Sequence, residues 1–348
     1  MQLYNNNKQL CFDDILLVPQ ASDVVSRSEV GLSMSIGYDK KAIELYLPVV
    51  TAPMDTVCEE TMATEISSYG GLGIIHRFMD FEQQKNQVFN VAKKGLTVGA
   101  AVGLKDAAKN AQSLALSGAK VICLDIANGH SSLAVDAVRE IRKLLPDIHI
   151  MTGNVSTWDG FLALSLAGAD SIRVGIGGGS MCTTRLVTGH GMPTLSSIMD
   201  IRSMLERMDL PTSIIADGGI RNAGDMAKAF AAGSDAVMLG SVLAGHDESP
   251  GELMFDNADR PFKNIRGMAS AEAQINFKGS ASVVEGISSE IAYRGAVSNT
   301  LNEIRGGLAS ACSYSGVYQL EDLAYNSQYV IVSTNSVKEN QPHGQRNI

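Results

Sequence analysis

The segment Gly175-Ile176-Gly177-Gly178-Gly179-Ser180-Met181-Cys182-Thr183-Thr184-Arg185 puts a thiol and a hydroxyl two residues apart behind a run of glycines. Glycine-rich backbone can approach a ligand closely and offers its N–H groups to an anion or its carbonyls to a cation. A cysteine with a nearby hydroxyl suits nucleophilic addition, Cys182 attacking while Thr184 orients a proton or a water. The plainer alternative is a flexible loop around a buried cysteine, cysteine being commonly buried. Composition alone does not choose between the two. Other polar residues stand behind short apolar runs: Ala52-Pro53-Met54-Asp55, Asp125 with Asn128-Gly129-His130, Gly153-Asn154, Asp217-Gly218-Gly219 and Gly240-Ser241. A Gly-Gly pair followed one unit later by Gly-Ser is the pattern of a barrel's phosphate cradle. Asp217 reads equally as a turn or helix-capping residue on its own.

These positions recur because the elements that carry them recur. Short β-rich runs begin near Val49, Leu72, Val98, Val121, Ile148, Ile172, Ile214 and Val237, with starts 23 to 27 residues apart except for 42 between Ile172 and Ile214. A strand, a helix and two short loops fill such a period. Helical spacing of apolar residues over Ala107 to Leu116, Leu133 to Leu145 and Ala223 to Ala232, stopped near Gly118, Pro146 and Gly233, supports β/α units. The nearly continuous apolar strands predict a parallel sheet buried on both faces. Eight units predict closure into a (β/α)₈ TIM barrel, with a doubly wound open sheet as the alternative. The expected organisation is one barrel domain over 1–348: an N-terminal arm over 1–45, a cysteine loop over 175–200, a flap region over 246–295 and a mobile tail over 336–348. Long insertions follow the sixth and eighth strands, the next helix after the eighth being expected near Ala296 to Ile304. Loops after barrel strands form the functional face, so the position of Cys182 favours the catalytic reading of its thiol.

Composition narrows the partners. With 28 basic and 37 acidic residues the net charge is −9, which argues against nucleic acid or an anionic membrane as a partner but leaves room for one small anion site. No apolar run reaches the length of a membrane span, and the N-terminal residues lack an apolar signal core. Five cysteines without a CxxC pair argue against a disulfide framework or structural zinc and point to a reducing, cytoplasmic setting. Cys11, Cys58, Cys123 and Cys312 read as structural. His76, His149 and His246 show no metal-ligand spacing, and Trp158 reads as packing. The methionines are mostly core filler, although Met54 and Met268 flank the expected pocket and could pack on a ligand ring.

Several of these runs together resemble the IMP dehydrogenase/GMP reductase family. They are Phe12-Asp13-Asp14-Ile15-Leu16-Leu17-Val18-Pro19, Ala52-Pro53-Met54-Asp55-Thr56-Val57, Gly177 through Arg185, Ala216-Asp217-Gly218-Gly219, Met238-Leu239-Gly240-Ser241 with Leu243-Ala244-Gly245, and Arg266-Gly267-Met268. The motifs run in order from about residue 10 to 335. The resemblance implies a (β/α)₈ barrel, a homotetramer, and a thiolate that adds to purine C2 of a nucleoside monophosphate before hydride exchange with nicotinamide. It implies Cys182 as nucleophile with Thr184 and Glu285 moving protons. It assigns Met54, Ser180, Asp217, Gly219, Gly240, Ser241, Gly267, Met268 and Gly286 to the nucleotide, Asp125, Asn128 and Asn154 to the cofactor, and the carbonyls of Gly177, Gly179 and Cys182 to a monovalent cation, K⁺.

Within that family three features resemble the reductases. Only about 22 residues separate the second and third strands, too few for the paired regulatory (CBS) insert of most dehydrogenases. Between Met268 and Glu285 stands ASAEAQINFKGSASVV, without the Arg-Tyr pair that activates water in dehydrogenases; Tyr293-Arg294 comes later and reversed. Leu124 through His130, Leu243-Ala244-Gly245-His246 and Glu285-Gly286 resemble reductase loops. Others lean to the dehydrogenases: Ala52-Pro53-Met54, Gly70 through Arg77 and the tail around Pro342-His343. Ser282-Val283-Val284 stands where animal-type reductases carry a basic residue. The expected activity is NADPH-dependent reductive deamination of GMP to IMP and ammonia through a Cys182-purine thioimidate. The alternatives are oxidation of IMP with NAD⁺ and a silent nucleotide-binding barrel.

Overall fold

Runs such as Val121-Ile122-Cys123-Leu124 have no polar alternation, so each must bury both faces. In the computed structural model, which describes residue 4 and residues 8–340, they do so as one parallel sheet. Three short strands precede it: β1 (Ile15–Val18), β2 (Met34–Ile36) and β3 (Ile43–Leu45). The sheet itself comprises β4 (Val49–Thr51), β5 (Gly73–Ile75), β6 (Val98–Val102), β7 (Val121–Asp125), β8 (His149–Val155), β9 (Ser171–Val174), β10 (Ser213–Asp217) and β11 (Ala236–Leu239). Its order is β4-β11-β10-β9-β8-β7-β6-β5. The two ends meet through Thr51 N–H on Leu72 O at 3.0 Å and Leu72 N–H on Val49 O at 2.9 Å, which closes the barrel. The expected (β/α)₈ TIM barrel is therefore the fold.

Helices return the chain between strands: α1 (Glu60–Ser68), α2 (Phe81–Ala92), α3 (Ala107–Leu116), α4 (Ser132–Leu144) and α5 (Trp158–Ala167). After the sixth barrel strand come α6 (Thr184–Thr188) and α7 (Thr194–Met208), and after the seventh α8 (Ala223–Ala231). Side-chain caps start several of them, with Asp80, Ser131, Thr157 and Asn222 accepting first-turn N–H groups. Side chains facing out of the barrel form one core with the helices; those facing in form a second, including Val50, Ile74, Ala101, Cys123, Met151, Ile215 and Met238. The β2–β3 hairpin adds Ile36 and Leu45 to this inner core and plugs the end opposite the active face. Trp158 stacks on Phe161 at 6.1 Å, in keeping with a packing role.

The two long insertions differ from their expected outlines. The cysteine loop is shorter than 175–200, because α7 begins at Thr194. The region after β11 contains a three-stranded antiparallel sheet of β12 (Met254–Phe255), β13 (Pro261–Arg266) and β14 (Ser288–Ala292), with α9 (Ala271–Lys278) between the last two. This short helix has no marked apolar face, so its sequence carries no helical period; of its side chains only Ala273 and Gln274 are buried. The helix expected near Ala296 is α10 (Val297–Tyr314), much longer than its recognised start. The chain continues as α11 (Leu323–Asn326), β15 (Gln328–Ile331), antiparallel to β1, and α12 (Ser336–Glu339). The tail around Pro342-His343 lies outside the described residues.

Gly73 shows how closely α1 lies on the barrel: a Cβ there would come 2.4 Å from Ala63 Cα. Gly73→Ala is expected to push α1 outward and cost about 1–3 kcal/mol. A urea unfolding midpoint unchanged by the substitution would contradict that packing.

Candidate active site

A cavity of about 450 Å³ opens at the carboxyl ends of the barrel strands. Cys182 stands exposed at its mouth. Its Sγ lies 3.2 Å from Thr184 Oγ1, which donates in turn to Glu285 Oε2 at 2.8 Å. Backbone pairing makes this possible, since Glu285 is 101 residues beyond Thr184. Thr183 N–H donates to Glu285 O at 2.9 Å, and Ile287 N–H to Met181 O at 3.0 Å. On its other side the same strand is tied to the start of the flap, Gly267 N–H donating to Ile287 O at 3.0 Å and Glu285 N–H to Ala269 O at 3.1 Å. Arg266 anchors that start: it pairs with Asp55 at 2.6 Å and with Glu272 at 3.0 Å.

The floor of the cavity is charged. Arg173, 3% exposed, reaches inward from β9 and pairs with Asp125 at 2.8 Å, with Asp217 at 3.9 Å further off. Arg77 approaches Asp125 from the rim at 3.4 Å. Burial by itself pushes the Asp125 carboxyl up, but Arg173 and Arg77 outweigh it and hold the pKa below the ordinary carboxylate value. Asp217 goes the other way: burial raises its pKa, and Arg173 and the Asn154 amide offset this only in part. Asn154 Nδ2 donates to Asp217 Oδ2 at 2.7 Å and to Gly175 O at 2.8 Å. Asn154 is the residue passed over where the β8–β9 register shifts between Gly153 and Val155; a bulge of this kind re-aims a side chain.

Glycines let the loops pack backbone on backbone. A Cβ on Gly175 would lie 1.9 Å from Asp217 O, and one on Gly218 3.0 Å from Gly179 N. The triple-glycine loop and the Gly-Gly turn after β10 thus form one wall. Ser180, Gly219, Gly240, Ser241, Met54, Gly267 and Met268 complete the lining. Gly286 sits just behind it, bridged to Cys182. Asn128 is off the wall, because its Oδ1 accepts from His130 N–H at 3.1 Å within its own turn. Gly177, Gly179 and Cys182 share the loop, and Gly179 O accepts from Cys182 N–H at 3.1 Å.

Sequence reasoning missed Arg173. Its signal was present, a charge inside the otherwise apolar run Ile172-Arg173-Val174. Arg77 left no comparable mark. The remaining thiols have other surroundings. Burial pushes Cys58, Cys123 and Cys312 up to about 12, whereas Cys11 is exposed at the start of a short 3₁₀ turn. His149 is engaged by Lys41 O and Ser171 Oγ, and His246 by Gly295 O. Among the described residues no group of three or more His, Cys, Asp or Glu side chains is arranged to hold a metal, and no helix is long and apolar enough to cross a membrane.

Fold and cavity together define a (β/α)₈ barrel with an exposed thiol on its carboxyl-end loops. Residues 9–343 match the family described as IMP dehydrogenase / GMP reductase domain, and the chain belongs to that family. It is 38% identical to the GMP reductase 2 of Bos taurus over 336 residues, covering 94% of this chain and 96% of that one. It is 36% identical to the inosine-5'-monophosphate dehydrogenase of Cryptosporidium parvum over 392 residues, covering 97% and 96%. With the inosine-5'-monophosphate dehydrogenase of Nitrosopumilus maritimus the identity is 31% over 471 residues, covering 96% and 98%. An alignment longer than the 348 residues of this chain means that the Nitrosopumilus maritimus protein carries residues without a counterpart here.

Arg173→Met would leave Asp125 and Asp217 facing each other without the guanidinium, a loss expected to cost about 3–5 kcal/mol at neutral pH. The Asp125 pairing contributes fully above the ordinary carboxylate pKa and is lost as pH falls below it through the depressed folded pKa. The stability gap between variant and wild type should therefore narrow in acid. Equal melting of the two proteins at neutral pH would remove Arg173 from this role.

Proposed function

We propose that this protein is a GMP reductase, catalysing GMP + NADPH + H⁺ → IMP + NH₃ + NADP⁺. The observation that carries the reading is the donor chain from the Cys182 thiol through Thr184 to the Glu285 carboxylate. In this reading Cys182 Sγ bonds to purine C2 as the thiol proton passes by way of Thr184 and Glu285 to the 2-amino group. The C2–N bond breaks and ammonia leaves, giving a thioimidate. An amide ion would be a very poor leaving group, so a proton delivered by a carboxyl and hydroxyl pair is what this step requires. Reduced nicotinamide, held on the side of Asp125 and Asn154, would supply the hydride that C2 receives. N3 takes a proton as the hydride arrives, and when the C–S bond breaks that same proton passes to the sulfur, so that Cys182 leaves as thiol and IMP is formed.

The binding assignments follow the same reading. Asp217 accepts ribose hydroxyls, while Gly219, Gly240 and Ser241 offer N–H groups to the phosphate. Asp125 and Asn154, on the wall shared with the thiol, fit the nicotinamide side, with Asn128 at the rim. The cysteine loop offers carbonyl oxygens from Gly177, Gly179 and Cys182, a donor set suited to a monovalent cation such as K⁺. NADPH as the hydride donor, a homotetramer and a cytoplasmic location rest on the family resemblance. Oxidation of IMP is the second reading, kept because dehydrogenases stand among the relatives at similar identity. Against it stands a flap without Arg or Tyr between Met268 and Glu285.

Absorbance of reduced nicotinamide decides between the two. Loss with GMP and NADPH is expected; a gain with IMP and NAD⁺, without that loss, would establish the dehydrogenase. Cys182→Ala should bind GMP and not turn it over. Glu285→Gln should slow GMP turnover by about 100-fold or more while keeping the first-turnover hydride transfer from IMP to NADP⁺. Unimpaired turnover would take Glu285 out of proton transfer. Exchanging K⁺ for choline should lower turnover, and equal rates in the two salts would rule out the cation.

A further inference from the structure

We infer that Gln274 is a positioning residue that holds Glu285 in register with Thr184. The inference rests on the GMP reductase reading for its chemistry and on the flap geometry for its placement. Gln274 lies on α9 and is only 7% exposed, although most of that helix faces solvent. A buried side-chain amide is costly unless its hydrogen bonds are met. Here they are met by the two ends of the flap. Nε2 donates to Ala269 O at 3.0 Å and to Val283 O at 2.9 Å. Oε1 accepts from Ser282 N–H at 3.0 Å and from Ser282 Oγ at 3.2 Å.

Ala269 O is a shared acceptor, since Glu285 N–H donates to it as well, at 3.1 Å. One carbonyl therefore sets the distance between the Gln274 amide and the Glu285 backbone. The helix start is fixed to the same point: Ser270 Oγ caps α9 through Ala273 N–H at 3.2 Å, and Gln274 N–H donates to Ser270 O at 3.0 Å. Ser282 and Val283 are exposed, and their bonds to Gln274 tie them to the flap helix just before the chain reaches Glu285. This segment lacks the basic residue that the resemblance leads one to expect ahead of the glutamate, and a neutral amide on the helix fastens it instead. Glu285 meets Thr184 through a single 2.8 Å bond, so a small drift of the segment would break the proton path.

The test uses Gln274→Met, which keeps an unbranched side chain and removes its hydrogen bonds, together with Glu285→Gln and the double variant. With GMP and NADPH, Gln274→Met should lower kcat by about 10- to 100-fold while KM for GMP stays within about threefold. First-turnover hydride transfer from IMP to NADP⁺ should persist. In the double variant turnover should be no slower than in Glu285→Gln alone, because Gln274 acts through that carboxylate. Wild-type turnover in Gln274→Met, or multiplied losses in the double variant, would overturn the inference. If the wild-type protein does not reduce GMP, the functional reading fails separately. Amide hydrogen exchange then decides: in Gln274→Met the Ser282 amide loses its acceptor directly, faster exchange that extends to the Thr183 and Glu285 amides upholds the positioning role, and unchanged exchange at those two overturns it.

Discussion

The site depends on backbone hydrogen bonds between two loops that are remote in sequence. The stretch 181–183 pairs with 285–287, and 285–287 pairs with 267–270. None of these bonds involves a side chain, so the register survives changes in most of the residues concerned. It decides which side chains meet. A slip by one residue would turn Glu285 away and bring a glycine or a valine against Thr184, since neighbouring residues of an extended strand point to opposite sides. The barrel supplies the other half of the constraint by holding the cysteine loop at the ends of β9 and β10, where glycines permit contact closer than any side chain would allow.

Beneath this lies a floor of opposite charges. Arg173 is fully enclosed and always protonated, so it sets the electrostatic state of everything near it. It holds Asp125 firmly ionised, whereas Asp217, farther from the guanidinium and buried, ionises less readily. Two aspartates at equivalent strand ends are given different properties by the cations beside them, Arg173 and Arg77 for Asp125 and the more distant Arg173 alone for Asp217. A buried pair of this kind adds little net stability compared with an apolar core; it does fix geometry, because neither partner can leave without stranding the other.

Much of this was legible beforehand. The barrel was readable because each β/α unit must bury its own strand, and that repeats the same apolar run and the same stops along the chain. Asp125, Asn154, Asp217 and Ser241 were readable because they stand at or just past the ends of those runs, and Cys182 because it lies behind a glycine cluster in a long insertion. What escaped notice depends on tertiary contact. Arg173 looked like an interruption in a strand, and only closure of the barrel shows that it faces inward. The helix α9 has no apolar stripe to betray it, because it is held by a buried glutamine and the flap backbone rather than by a core. Asn128 stood at the right strand end but was claimed by its own turn, a local competition that a strand-end rule does not anticipate.

The ribbon of β1 and β15 joins Ile15 to Ile331 and Val18 to Gln328. These partners lie 310 to 316 residues apart in the sequence. β1 therefore has no partner strand until the whole barrel between the two strands has been made. The β2–β3 hairpin is local and can form at once, but its place in the barrel floor also awaits the last barrel strand. Contacts of such long separation close late and slowly. The strand edge of β1 thus stays open while the barrel is being made, and the yield of folded protein should depend on how well that edge is shielded meanwhile.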